Sequence, residues 1–168
     1  MFITGNQGFI AKHLFRRLRE LGWEVDGWDL KDGQDINYLQ PDNLRDGSRN
    51  ADVIFHLAAL PKIPYSIQYP EITNHHNING TLQVLRAAVH AKVKRVVFSS
   101  SSSVYGNGLM PESVLDIASD APVKLSQDEK MPPNPMSPYA VQKLTGEWYC
   151  KIFSQLYGLE TVSLRYFN

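Results

Sequence analysis

Met1-Phe2-Ile3-Thr4-Gly5-Asn6-Gln7-Gly8-Phe9-Ile10-Ala11 opens the chain, and its reading decides the fold. Phe2 to Thr4 is a short apolar run, and Gly5 to Gly8 is a turn. Phe9, Ile10, Leu14, Leu18 and Leu21 then recur at helical intervals, so the order is strand, glycine turn, helix. Gly22 stops that helix, and Glu24-Val25-Asp26-Gly27-Trp28-Asp29 reads as a second strand ending in an acid. These pieces make the opening of a strand-helix-strand unit.

Farther along, residues 30–50 are polar and contain Gly33, Pro41 and Gly47, with at most a short helix near Leu44 and no convincing third strand. Asp52 to Ala59 is a continuous apolar run, as expected for a strand covered on both faces. A long helical pattern follows from Ile72 to Ala91, and Arg95-Val96-Val97-Phe98-Ser99 is the next buried strand. Residues 106–135 lack periodicity and hold several prolines, which predicts a long surface excursion. Pro138 suits the first turn of a helix running to Tyr157; Gly158 closes it, and Glu160 to Arg165 is a final strand. Alternating strands and helices predict an α/β, doubly wound parallel sheet with helices on both faces.

The 168 residues carry 17 Lys+Arg against 17 Asp+Glu, so nothing in the charge balance draws the chain to nucleic acid or an anionic membrane. Hydrophobic residues at 43% and charged ones at 20% argue for a folded core rather than disorder. With a lone cysteine, Cys150, and no apolar run long enough to span a bilayer, the expected setting is cytoplasmic.

Three groups of residues carry chemistry. Gly5-x-x-Gly8-x-x-Ala11 lies at the first strand-to-helix crossing, where bare backbone can approach a pyrophosphate and helix amides can bind it. An ordinary tight turn plus a capping acid looks the same locally, but Asp29 at the end of the second strand strengthens the dinucleotide reading. Asp29 can accept hydrogen bonds from an adenosine ribose and would repel a 2′-phosphate, which favours NAD over NADP, although Lys31 softens the preference. Tyr139 and Lys143 are four apart near a helix start and share a face; an ammonium beside a phenol lowers the phenol pKa. The run Ser99 to Ser103 puts hydroxyls at the C-terminal end of a buried strand, the ligand-binding edge of such sheets. No Gly-x-Ser-x-Gly elbow is present, and His56, His75 and His76 complete no metal-ligand spacing.

Taken in order, Thr4-Gly5-x-x-Gly8-Phe9-Ile10, Asp35-Ile36, His56-Leu57-Ala58-Ala59, Asn77-x-x-Gly80-Thr81, the serine run, Tyr139-x-x-x-Lys143 and Arg165-Tyr166-Phe167-Asn168 resemble an extended short-chain dehydrogenase/reductase. Ser137 to Lys143 and Leu156 to Asn168 are similar to the NAD-dependent UDP-glucose and UDP-N-acetylglucosamine 4-epimerases. The resemblance implies a Rossmann-like domain over residues 1–168 and makes Tyr139 the proton-transfer residue, Lys143 its partner and Ser101 the catalytic hydroxyl. It implies NAD binding by Gly5, Gly8, Phe9, Ile10, Asp29, Asp35, Ile36, Leu57, Ala58, Ala59, Asn77, Ser99, Tyr139 and Lys143. Ser101, Ser102, Tyr139 and Asn168 would meet a nucleotide sugar; the resemblance disfavours a 4,6-dehydratase, because such relatives carry acids just after the catalytic hydroxyl where this chain has Ser102 and Ser103. A reductase or dehydrogenase, or a non-catalytic dinucleotide-binding module, would share much of this pattern. The resemblance also implies a homodimer through the helices near Thr81–Ala91 and Pro138–Tyr157. Relatives continue through a further half that supplies most of the sugar pocket, so the expectation here is a partial sequence without its C-terminal substrate domain.

Overall fold

The structure, a computed structural model, describes residues 1–46, 49–106 and 127–167. Five parallel strands form the main sheet: β1 (Phe2–Thr4), β2 (Asp26–Trp28), β5 (Val53–His56), β6 (Arg95–Ser101) and β7 (Glu160–Tyr166), in the order β2-β1-β5-β6-β7. A separate antiparallel pair, β3 (Arg45–Asp46) and β4 (Arg49–Asn50), stands apart from it. Among the described residues no strand extends the main sheet beyond β2; the stretch after Asp29, read as holding no strand, does contain the short β3–β4 pair, which lies outside that sheet. Ahead of that pair the stretch folds into 3-10 turns at Leu30–Asp32, Ile36–Tyr38 and Pro41–Leu44.

The chain reverses direction across the sheet between β1 and β5, which is the place where open α/β sheets leave a crevice at their strand ends. Alternation along β1 sends neighbouring side chains to opposite faces. Ile3 joins Ala11 and Leu18 of α1 (Phe9–Glu20), whereas Phe2 joins Val84 and Leu85 of α4 (Gly80–His90) and Phe153 of α5 (Pro138–Tyr157). Helices therefore cover both faces, though on the α1 side of β7 Val162 and Leu164 remain exposed.

The long helix read over Ile72–Ala91 is helical throughout but not uniform. It comprises α3 (Pro70–Asn74), a π turn at His75–Asn79, and α4; within it the Gly80 amide donates to the His75 carbonyl five residues back. Periodicity at 3.6 residues could not show that one extra residue. A short helix, α2 (Ile63–Gln68), precedes α3.

Helix α5 starts where Ser137 caps it, its hydroxyl accepting from the Ala140 amide at 3.2 Å, with Pro138 in the first turn. Gly158 at φ 67° closes it in the left-handed conformation. It rests on β6 through Gly146, where an added Cβ would overlap the ring of Phe98. That close approach fixes how near α5 lies to the end of β6. The predicted excursion over 106–135 falls mostly outside the described residues.

Candidate active site

A groove runs along the C-terminal ends of β1, β5 and β6, with a cavity of ≈ 310 Å³ at one end and one of ≈ 450 Å³ at the other. Gly5, Gly8, Leu57, Ala59 and Pro61 border both. Gly5 has φ 72°, and a Cβ there would sit 2.8 Å from the backbone of Ala58. Only glycine meets both demands, which explains the first glycine of the turn. The Gly5 amide donates to the Trp28 carbonyl at 2.7 Å and the Gly8 amide to the Gly5 carbonyl at 2.9 Å, so the turn is closed from within. Helix α1 has no side-chain cap and no acid in its first turn, leaving its leading amides for an external anion. Ile10 and Ala11 line the smaller cavity.

The larger cavity holds the acids. Asp29 is buried and accepts from the Gln7 amide at 2.8 Å and the Lys31 amide at 2.9 Å, which fixes its carboxylate beside the glycine turn. Asp35 and Ile36 line the same wall. Burial opposes ionisation of Asp35, but two hydrogen bonds from Asn37 and the charges of His76 and His75 outweigh it, so its carboxyl lies below the ordinary value. Trp28, Leu30, Lys31, Gln34, Leu60, Pro61 and His76 complete the lining. The indole N–H of Trp28 is buried with no partner among the described residues.

At the smaller cavity Ser99, Ser101, Ser102, Tyr139 and Lys143 converge, with Tyr166 and Ile63 beside them. Tyr139 and Ser101 line this cavity together, and the Ser101 hydroxyl favours the ionised form of the phenol. Lys143, 3% exposed, donates from Nζ to the Ser99 carbonyl at 2.8 Å and lies 5.8 Å from the centre of the Tyr139 ring. Burial brings the Lys143 ammonium down to about 8. The expectation of a lowered Tyr139 pKa is not met in this structure. Burial pushes the phenol up, and the Ser101 hydrogen bond only opposes that effect.

Behind these groups lie two buried networks. Asn77 does not line the groove; it clamps Leu60 by accepting from its amide at 2.8 Å and donating to its carbonyl at 3.1 Å, and it donates to Gln142 Oε1 at 2.8 Å. Gln142 also donates to Thr73 Oγ1 at 2.9 Å. His56, 1% exposed, lies between Thr4 and Thr81. Because the Thr81 hydroxyl donates to the Asn77 carbonyl at 2.7 Å, it accepts from His56 Nε2–H at 2.9 Å, and Nδ1 accepts from Thr4 at 2.7 Å. Burial, then the Lys143 charge, brings the imidazole down to about 3, so His56 is neutral and structural.

Most of the sequence-predicted site therefore comes together. Phe9 does not: it is 81% exposed and its ring meets His13 instead. Asn168 lies outside the described residues. Gln142, Trp28, Gln34 and His76 were missed; only the position of Gln142 between Tyr139 and Lys143 signalled it. Paired acids at one end, a closed glycine turn in the middle and a hydroxyl-ammonium cluster at the other end suit a bound dinucleotide. No group of three or more potential metal ligands occurs among the described residues, and no described helix is long and apolar enough to cross a membrane.

Comparison with known proteins matches residues 1–168 to a profile described as the NAD dependent epimerase/dehydratase family. A UDP-glucose 4-epimerase of Mycolicibacterium smegmatis is 33% identical over 94% of this chain and 52% of its own length. The UDP-glucuronic acid 4-epimerase of Bacillus cereus, solved with UDP-glucuronic acid and NAD, aligns at TM-score 0.82 and 29% identity over 99% of this chain and 56% of that one. An NAD-dependent NDP-hexosamine 5,6-dehydratase of tunicamycin biosynthesis aligns at TM-score 0.83 and 25% identity, covering 99% and 54%. The chain spans about half the length of the curated relatives it matches.

Proposed function

Because this chain belongs to the NAD dependent epimerase/dehydratase family, we propose that its groove holds NAD and that the protein inverts C4 of a nucleotide sugar, with a UDP-hexose or UDP-N-acetylhexosamine as substrate. The observation that carries this reading is the meeting of Ser101, Tyr139 and Lys143 at one end of a groove whose other end presents Asp29 and Asp35.

When bound, NAD supplies the two-electron oxidation at the sugar C4–H bond and its reversal. Tyr139 takes the proton of the 4-hydroxyl as C4 becomes a ketone and returns it when C4 is reduced from the opposite face. Ser101, beside Tyr139 in the same cavity, would offer its hydroxyl to the sugar oxygen and the phenol together. Lys143, fixed by the Ser99 carbonyl, supports the phenolate and sits where the nicotinamide ribose would lie. A bound dinucleotide's positive ring would add to Lys143 in favouring the phenolate over the protonated phenol.

The relatives named as 4-epimerases support inversion at C4, and the family resemblance implies acids in a 4,6-dehydratase where this chain has Ser102 and Ser103. The test is interconversion of a UDP-hexose with its C4 epimer. Tyr139→Phe is expected to lower kcat by roughly 10²-fold or more while NAD still binds. Full activity in that variant overturns the assignment of Tyr139, and a net change in NADH during turnover replaces epimerisation with a reductase or dehydrogenase.

A further inference from the structure

The wall closing the Asp29 end of the groove is built without a sheet strand. The 3-10 turns Leu30–Asp32 and Ile36–Tyr38 bring Lys31 and Ile36 to the cavity, with Gln34 and Asp35 between them, and His76 reaches the same cavity from the π turn. A π turn shifts the helical register by one residue, and such turns concentrate at functional sites. Here Asn77 is turned inward to clamp Leu60, while its neighbour His76 stands half-buried at the cavity.

The charged groups around His76 come from each neighbouring element. Asp29 and Lys31 follow β2, and Asp35 lies between the two 3-10 turns. His75 contacts the His76 ring edge-on at 5.4 Å, and Glu71 stands on α3 beside His75 at a separate surface hollow. Helix α4 adds no charged side chain over Gly80–Leu85, and α5 meets the π turn through the neutral Gln142, which is bonded to Asn77. The cavity wall thus holds two carboxylates and one ammonium, while the diphosphate of a dinucleotide is itself anionic. With His76 neutral, that balance opposes the ligand; a proton on His76 evens it.

We propose that His76 is a binding residue for the adenosine-diphosphate end of the dinucleotide, its imidazolium offsetting Asp29 and Asp35. This rests on the cofactor reading above and adds a residue to it. His76 and Asp35 line the same cavity, so the side chain and the carboxylate face one bound ligand.

ADP-ribose is the suitable probe, because neither its adenine nor its diphosphate bridge titrates near neutral pH. Calorimetric titration of the whole chain at low salt, at about pH 8 and about pH 6, reads the effect. The wild type is expected to bind about fivefold more tightly at the lower pH. His76→Gln should bind weakly and alike at both, His76→Lys should bind well and alike at both, and His75→Gln should keep most of the wild-type slope. Equal wild-type affinity at the two pH values, or a slope that survives in both His76 variants, overturns the role of His76 and leaves the cofactor reading intact. Failure of both NAD and ADP-ribose to bind the wild type overturns that reading and this inference together.

Discussion

Lys143 sets function against stability within one side chain. Its ammonium is buried and its pKa falls from 10.5 to about 8, so between those values the unfolded chain binds more protons than the folded one. Stability from this group therefore rises with pH across that window, and below it the full cost of burying the charge is present. Lys143→Met is expected to be more stable than the parent at neutral pH, on the order of 1–3 kcal/mol after the Ser99 carbonyl loses its donor. That advantage should shrink toward pH 10.5. Urea unfolding of both proteins across the range checks it, and equal stability at neutral pH would contradict it. The spacing of Tyr139 and Lys143 was legible because one helix carries both. The direction of the Tyr139 shift was not, because it depends on burial by residues far away in sequence. Gln142 escaped for a related reason: its partners Asn77 and Thr73 lie on another helical segment, and a polar residue beside a helix interior leaves no periodic signal.

Between elements, Glu147 is the clip. It accepts from the Ser100 hydroxyl and from Arg165 Nε and Nη2 at 2.9 and 2.7 Å, joining α5 to β6 and β7. Ser100 and Arg165 are direct partners in the β6–β7 register, so both reach the same helix. Arg165 also lies 4.5 Å over the Tyr105 ring. Glu147→Ala leaves a largely buried guanidinium without its carboxylate and is expected to cost about 3 kcal/mol. Arg165→Ala added to it should cost less than the sum of the two single changes, and thermal melts of the three variants measure the coupling. Additive losses would show that the pair does not act as a unit. The principal strands and helices were legible from apolar runs and helical spacing. The 3-10 turns and the π turn were not, since short irregular segments are set by what packs on them, as Ile36 is by the core around α4.

Across the whole molecule, α5 presents an apolar stripe, with Val141, Trp148 and Ile152 exposed at 48%, 59% and 46%. Exposed apolar residues aligned on one helix face mark a surface that another surface covers. We expect a second copy of the chain to cover it, pairing α4 and α5 across a dyad. Sedimentation at micromolar concentration should give a dimer, and Trp148→Glu a monomer; a wild-type monomer would rule the pairing out. The contact of Gly146 with Phe98 bears on the molecule in another way. The gap between the proton-transfer helix and the sheet is held by a hydrogen atom where any other residue has carbon. Gly146→Ala removes no charge and no donor, yet it wedges apart the surfaces that bring Lys143 to Ser99, at a cost of about 1–3 kcal/mol in a melt. Alanine, usually the mildest replacement, should here weaken NAD binding as well. A mutational scan would then record the signature of a catalytic residue at a position that has no functional group.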